Sequence, residues 1–118
     1  MKQVSNKQAI IKRKLHEVYE QIDNEREQVC QGCGRSDKPL SHSHIISQKR
    51  CKEIGKPELI WDKDNIEIEC FGNNNDCHNI WEKGGMAKQS RMLNFDRKLE
   101  YLFLHERSEY LKYVYGDY

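Results

Sequence analysis

Cys30-Gln31-Gly32-Cys33-Gly34, Ser41-His42-Ser43-His44-Ile45-Ile46, Asp64-Asn65-Ile66 and the Cys70, Cys77-His78, Glu82 series all fall within residues 30–82. This window holds all five cysteines and three of the five histidines. Cys-x-x-Cys-Gly is a knuckle. Its tight turn aims two thiolates at one centre, and Gly32 and Gly34 supply the backbone freedom the turn requires. Cys70 and Cys77 form a second pair, separated by a Gly- and Asn-rich stretch longer than the usual zinc knuckle. Four thiolates in two pairs suit a closed, tetrahedral structural zinc site, with Cys51 left as a free thiol. Small buried thiols are the bland alternative, and they explain the Cys-x-x-Cys-Gly turn poorly.

Working outward, Ile66, Ile68 and Cys70 alternate with Glu67 and Glu69, which predicts a half-exposed strand. Leu40, Ile45 and Ile46 suggest a short strand or hairpin arm over residues 40–47. Residues 48–61 read as a short basic helix or loop, with a turn at Gly55-Lys56-Pro57, where Pro57 stops any helix. Residues 71–76 read as a loop. Cys77 then leads into a helix carrying His78, Ile80, Trp81 and Glu82, ended by Gly84-Gly85. Trp61 and Trp81 read as packing residues near the metal core.

Both flanks read as helical. Ser5 followed by Gln8 has the form of a capping box, and Ile11, Leu15, Val18 and Ile22 make one helical stripe reaching to about Arg26. Lys12-Arg13-Lys14 is either a solvated face or a phosphate contact. The acidic residues Glu17, Glu20, Asp23 and Glu25 that follow favour the solvated face. Met92, Phe95, Leu99, Leu102 and Phe103 form a second core stripe. A break over residues 105–108 precedes a last helix capped by Ser108 and holding Leu111 and Val114. His16 and His105 read as surface or boundary residues.

With 118 residues, 36% hydrophobic and 33% charged, the chain has the length of one domain and a modest core. Bound metal would offset that shortage, because ligation free energy becomes folding free energy. The expected architecture is α+β: an N-terminal helix over 5–28, a metal core over 29–85 and C-terminal helices over 86–118. A net charge of +1 does not announce a nucleic-acid binder, so positive surface must be local. No apolar run approaches the ~20 residues of a membrane span. Residues 1–6 lack the apolar core of a signal peptide, so an intracellular, cytoplasmic chain with reduced cysteines is expected rather than a disulfide framework.

The order Cys-x-x-Cys, His44-Ile45-Ile46, Asp64-Asn65-Ile66, Cys77-His78 resembles the HNH endonucleases, small metal-dependent nucleases found in phages and bacteria. The resemblance covers a little under half of the chain and leaves the helical flanks outside. It implies a ββα-metal core, two strands and a helix around one ion, acting on DNA. In it, His44 is the general base that takes a proton from water, a task its near-neutral pKa suits. Asn65 holds His44 or its loop, and His78 binds a catalytic Mg²⁺, Mn²⁺ or Zn²⁺. Glu82, one helical turn beyond His78, can reach the same ion.

The sequence departs from the family where Ser43 stands in place of the usual Asp or His ligand. A hydroxyl is a poor ligand for a divalent ion. His42, on the same strand face as His44, is the candidate substitute. Lys49, Arg50, Lys52 and Lys83 are candidate contacts to the DNA backbone, where protein groups position rather than read sequence. Bland readings stand beside these. His42 fits a surface histidine, Asn65 fits a turn residue, and His78 fits the structural zinc with one cysteine left out. A zinc-scaffold nucleic-acid-binding module and a helical adaptor that dimerises are the rival functions.

Overall fold

Leu15, Val18 and Ile22 are buried along one helix, α1 (Lys2–Glu25), with Ile11 partly buried above them. Burial of each such side chain contributes about 1.5–3 kcal/mol. The computed structural model of the chain describes residues 2–73 and 75–116, with side chains from residue 7 onward. Helix α1 begins before the expected capping box. Ser5, whose side chain lies outside the described residues, sits inside the helix. A capping signal is a local preference, and the polar residues upstream do not oppose helix. The basic run remains on the surface: Lys12 and Arg13 are exposed, and the Lys14 ammonium sits 5.2 Å from the Trp61 ring centroid.

The fold is α+β. Strands β1 (Leu40–His44) and β2 (Ile66–Cys70) form a two-stranded antiparallel sheet, pairing Leu40 with Cys70 and His44 with Ile66. Between them run helix α2 (Gln48–Glu53) and two 3₁₀ turns, Pro57–Trp61 and Lys63–Asn65. The Ser47 hydroxyl caps α2 by accepting from the Arg50 N–H at 3.1 Å. Helix α2 already ends at Glu53, with Gly55 following at a φ of 73°, and Pro57 opens the first 3₁₀ turn. Helix α3 (Cys77–Lys83) packs against β2 and stops at Gly84. Helices α4 (Met86–Gln89), α5 (Phe95–His105) and α6 (Arg107–Tyr115) complete the described chain, and α5 packs on α6.

Three expectations need correction. Strand β2 is not half-exposed: every residue is buried, Glu67 and Glu69 included. Its acidic face is covered by α5 and the residue before it. Asn94 Nδ2 donates to both carboxylates, at 3.0 and 2.9 Å, and Arg97 Nε donates to Glu67 at 3.0 Å. The fully buried Lys98 Nζ lies 2.7 Å from Glu69 Oε2 and 4.6 Å from the Trp81 ring centroid. The α5 stripe buries Leu102 but leaves Phe103 at 41% exposure, stacked edge-on with Tyr110. The break between the last helices is Glu106 alone, and α6 starts at Arg107 without a side-chain cap. Among the described residues no helix is long and apolar enough to cross a membrane.

Candidate metal centre and the adjoining groove

The knuckle forms as its glycines require. The Cys30 N–H donates to the Arg35 carbonyl at 2.8 Å, and the Gly34 N–H donates to the Cys30 carbonyl at 2.7 Å. Gly34 takes a φ of 80°, a conformation that disfavours a side chain. Gly32 is needed for space: a Cβ there would stand 2.7 Å from Cys77 Sγ. The second pair comes from the end of β2 and the first residue of α3. The long loop between them is tied down by Asp76, whose carboxylate accepts from the Asn73 N–H at 2.7 Å and from Lys38 Nζ at 2.6 Å.

The Sγ atoms of Cys30, Cys33, Cys70 and Cys77 all lie within 4.8 Å of one another, a cluster that can hold a metal ion such as zinc. Hydrogen bonding, first from Cys77, draws Cys30 down to about 4. Burial pushes Cys70 up to about 11. Its bond to Cys30, then burial, push Cys77 up. The protein alone thus favours the thiolate at Cys30 and opposes it at Cys70 and Cys77, and a cation would let those two ionise. Cys51 stands apart as a buried thiol donating to the Ile46 carbonyl at 3.5 Å, with burial pushing it up to about 11.

Beside this centre lies a groove of about 760 Å³ whose walls come from β1 and all six helices. His42, His44, His78 and Glu82 all line it. His44 is half-buried, and its Nε2 is 2.8 Å from the Ile60 carbonyl oxygen. A carbonyl only accepts, so Nε2 carries the proton and Nδ1 is the free lone pair. Burial lowers the His44 pKa below its ordinary value, against the hydrogen bond to the Ile60 carbonyl, which raises it; the nearby His78 and His42 act with burial. The imidazole is therefore neutral near pH 7.

Asn65 is fully buried and does not line the groove. It clamps the backbone on both sides of the His44 contact. Its Nδ2 donates to the Ile46 carbonyl at 3.0 Å and to the Leu59 carbonyl at 2.9 Å, while its Oδ1 accepts from the Ile46 N–H at 2.7 Å. It holds the loop rather than the histidine ring, so it is a positioning residue and more than a turn former.

His78 lies 2.6 Å from the Ser41 hydroxyl through Nδ1 and 3.2 Å from Glu82 Oε2 through Nε2. It belongs to the groove and not to the sulfur cluster. His42 is engaged otherwise. Its Nε2 is 2.9 Å from Asp23 Oδ1, and its ring stacks on Tyr19 with centroids 4.0 Å apart. Ser43 is fully buried on the opposite strand face from His42 and His44, so its hydroxyl does not enter the groove and is not a ligand there. Among the described residues, only the four cysteines gather three or more ligand atoms within 4.8 Å, so His42, His78 and Glu82 do not converge on one point.

The basic candidates divide. Lys49 is exposed on the groove wall. Arg50 lines it too, but its guanidinium is paired with Glu106 and Glu53 and is a poor phosphate contact. Lys52, outside the lining, reaches Gln8 at 3.3 Å, and Lys83 sits at the end of α3, also outside it. Glu53, Glu82, Glu106 and Glu109 outnumber Lys49, Arg50 and Lys112 along the walls. Such a groove does not attract phosphate by its own side-chain charge.

Ser41, the Ile60 carbonyl and Tyr19 are parts of the site that the sequence does not reveal. Each acquires its role from a partner distant in sequence, and no local pattern marks any of them. No family profile, curated protein or solved structure matches the chain.

Proposed function

We propose that the chain is a metal-dependent DNA endonuclease of the HNH kind. In this reading β1, β2 and α3 form the ββα-metal module. The four cysteines hold a structural Zn²⁺, and His78 with Glu82 holds a catalytic Mg²⁺, Mn²⁺ or Zn²⁺ in the groove. The observation that carries the reading is the placement of His44: it lines the groove with its Nε2–H committed to the Ile60 carbonyl, leaving Nδ1 as the basic atom. A general base needs that arrangement.

His44 Nδ1 takes the proton from the attacking water. The Ile60 carbonyl fixes the ring and is favoured further as the ring gains positive charge. Asn65 keeps that carbonyl's turn and the residues after His44 in register. A divalent ion bound in the groove would neutralise charge on the scissile phosphate and the leaving oxygen. The donor set suits it, because His78 Nε2 and the Glu82 carboxylate lie 3.2 Å apart on one face of α3. Such an ion would also supply the attraction for phosphate that the walls lack, with Lys49 an exposed cation on them.

One observation favours a second reading. Ser43 is withdrawn from the groove and His42 is paired with Asp23, so only two ligands face the ion position. That would suit a zinc scaffold that binds nucleic acid without cutting it. Nicking of supercoiled plasmid by purified protein, with Mg²⁺, Mn²⁺ or EDTA, decides between them. The nuclease reading requires metal-dependent nicking that disappears in His44→Ala. DNA retention without nicking under any metal would move the assignment to the binding scaffold.

A further inference from the structure

We infer that the flank of α1 facing α2 is a second contact for duplex DNA, a track of lysines that continues outward from the groove along the phosphate backbone. The identity of the partner rests on the nuclease reading, but the track follows from helix geometry and charge alone. Lys12, Arg13 and Lys14 divide among three faces of α1, because each residue turns the helix by about 100°. Lys14 takes the flank toward the first 3₁₀ turn, with its ammonium 5.2 Å from the Trp61 ring centroid. Arg13 is exposed on the outer face, with the exposed Glu17 one turn on. Lys12 falls in line with Gln8, one turn earlier, and Tyr19, two turns later.

Gln8 and Tyr19 show what that line faces. Gln8 Oε1 accepts from Lys52 Nζ of α2 at 3.3 Å. Tyr19 lines the groove and stacks on His42. Lys12 therefore lies on the side of α1 that runs from the groove to α2. On α2, Lys49 and Lys52 are one turn apart and both exposed, and Lys49 lines the groove. Lys49, Lys52 and Lys12 thus carry positive charge outward from walls on which acids outnumber bases. The acids near them on the two helices are engaged: Asp23 with His42, Glu20 with His16 and Glu53 with Arg50. Among the described residues, Lys12 and Lys49 have no ion-pair partner. From Gln8 to Tyr19 is about 16 Å of helix axis, the rise of about five phosphates along one strand of a duplex. A single strand would need open aromatic faces on which its bases stack, and the ring on this line, Tyr19, is already stacked on His42.

The salt dependence of binding counts the phosphates a protein holds. Fluorescence anisotropy of a labelled duplex of about 20 base pairs, titrated with the full-length, zinc-replete protein at about 50 and 200 mM salt and with no second metal added, measures it. Each lost lysine contact is expected to reduce the slope of log K against log salt by about 0.9. Over that fourfold rise in salt, the double variant Lys12→Gln, Lys52→Gln should lose about 12-fold less affinity than the wild type. Arg13→Gln, on the outer face, should keep the wild-type slope. An unchanged slope in the double variant, an equal change in Arg13→Gln, or a wild type that does not bind the duplex would overturn the inference. Tighter binding of a single strand of the same length would overturn the assignment to duplex. A reduced slope in the double variant, beside a wild type that nicks no plasmid with any metal, would sustain the track and overturn the nuclease reading instead. Nicking by the wild type with an unchanged slope in the double variant would do the reverse.

Discussion

The substitution Asn65→Asp changes one atom's chemistry in a side chain that is fully buried, and its cost follows from the structure. The introduced carboxyl would keep the oxygen that accepts the Ile46 N–H. It would set its second oxygen against the Ile46 and Leu59 carbonyls, where the amide now donates at 3.0 and 2.9 Å. Ionised, it would hold a buried charge against two lone pairs. Protonated, it would serve one carbonyl and strand the other, at about 1–3 kcal/mol. Keeping a carboxyl protonated at pH 7 against an ordinary value near 3.9 costs about 4 kcal/mol more. The total is about 5–7 kcal/mol, comparable with the whole stability of many domains.

The sign with pH is definite. The folded-state pKa of the introduced carboxyl would be raised above its unfolded value, so the penalty is largest at neutral pH and fades as pH falls toward the unfolded pKa. Denaturant unfolding of Asn65→Asp and wild type at pH 7 and pH 5 should therefore give a difference that shrinks by about 2.7 kcal/mol, since the wild type shares every other titration. A difference that is small at pH 7, or constant between the two pH values, would refute the clamp.

Other perturbations follow from the same geometry. A strong zinc chelator, or Cys33→Ser, should lower the melting temperature sharply, because ligation free energy is folding free energy here; melting unaffected by either would remove the structural ion. Lys98→Met should cost about 3–5 kcal/mol by leaving Glu69 buried without its cation, and adding Glu69→Leu should recover much of that; a neutral single variant in chemical denaturation would contradict the ion pair. Burial and its hydrogen bond to Asp62 raise the Tyr101 pKa above its ordinary value of 10.0, so folding stability should fall as pH rises above 10.0. Tyr101→Phe should flatten that fall, and an unchanged slope in unfolding curves between pH 9 and about 11 would refute the assignment.

The parts of this molecule that a sequence exposes are those carried by local spacing. The Cys-x-x-Cys-Gly knuckle and the later cysteine pair come together as four sulfurs. The Leu15, Val18 and Ile22 stripe is the buried face of α1, and the glycines after Lys83 end α3. What stays hidden depends on partners far away. Glu67 and Glu69 alternate like exposed residues, and only Asn94, Arg97 and Lys98 turn that alternation into a buried face. Arg50 looks like a free phosphate contact until Glu106, at the junction of the last two helices, takes it up. Ser43 stands where the HNH resemblance expects a ligand, yet strand alternation turns it away, while Ser41, which no sequence pattern marks, touches His78. His44 is singled out in the sequence by resemblance alone, and its tautomer comes from the Ile60 carbonyl in a 3₁₀ turn with no signature.

The central claim is that His44 removes a proton from the water that cuts DNA. Its most direct test is the single-turnover rate at which wild type and His44→Ala cut one labelled duplex in Mn²⁺, at protein concentrations that saturate binding. A fall of about 10²–10⁴-fold in the variant, with DNA binding retained, is the result expected of a lost general base. Equal rates in the two proteins would contradict the account.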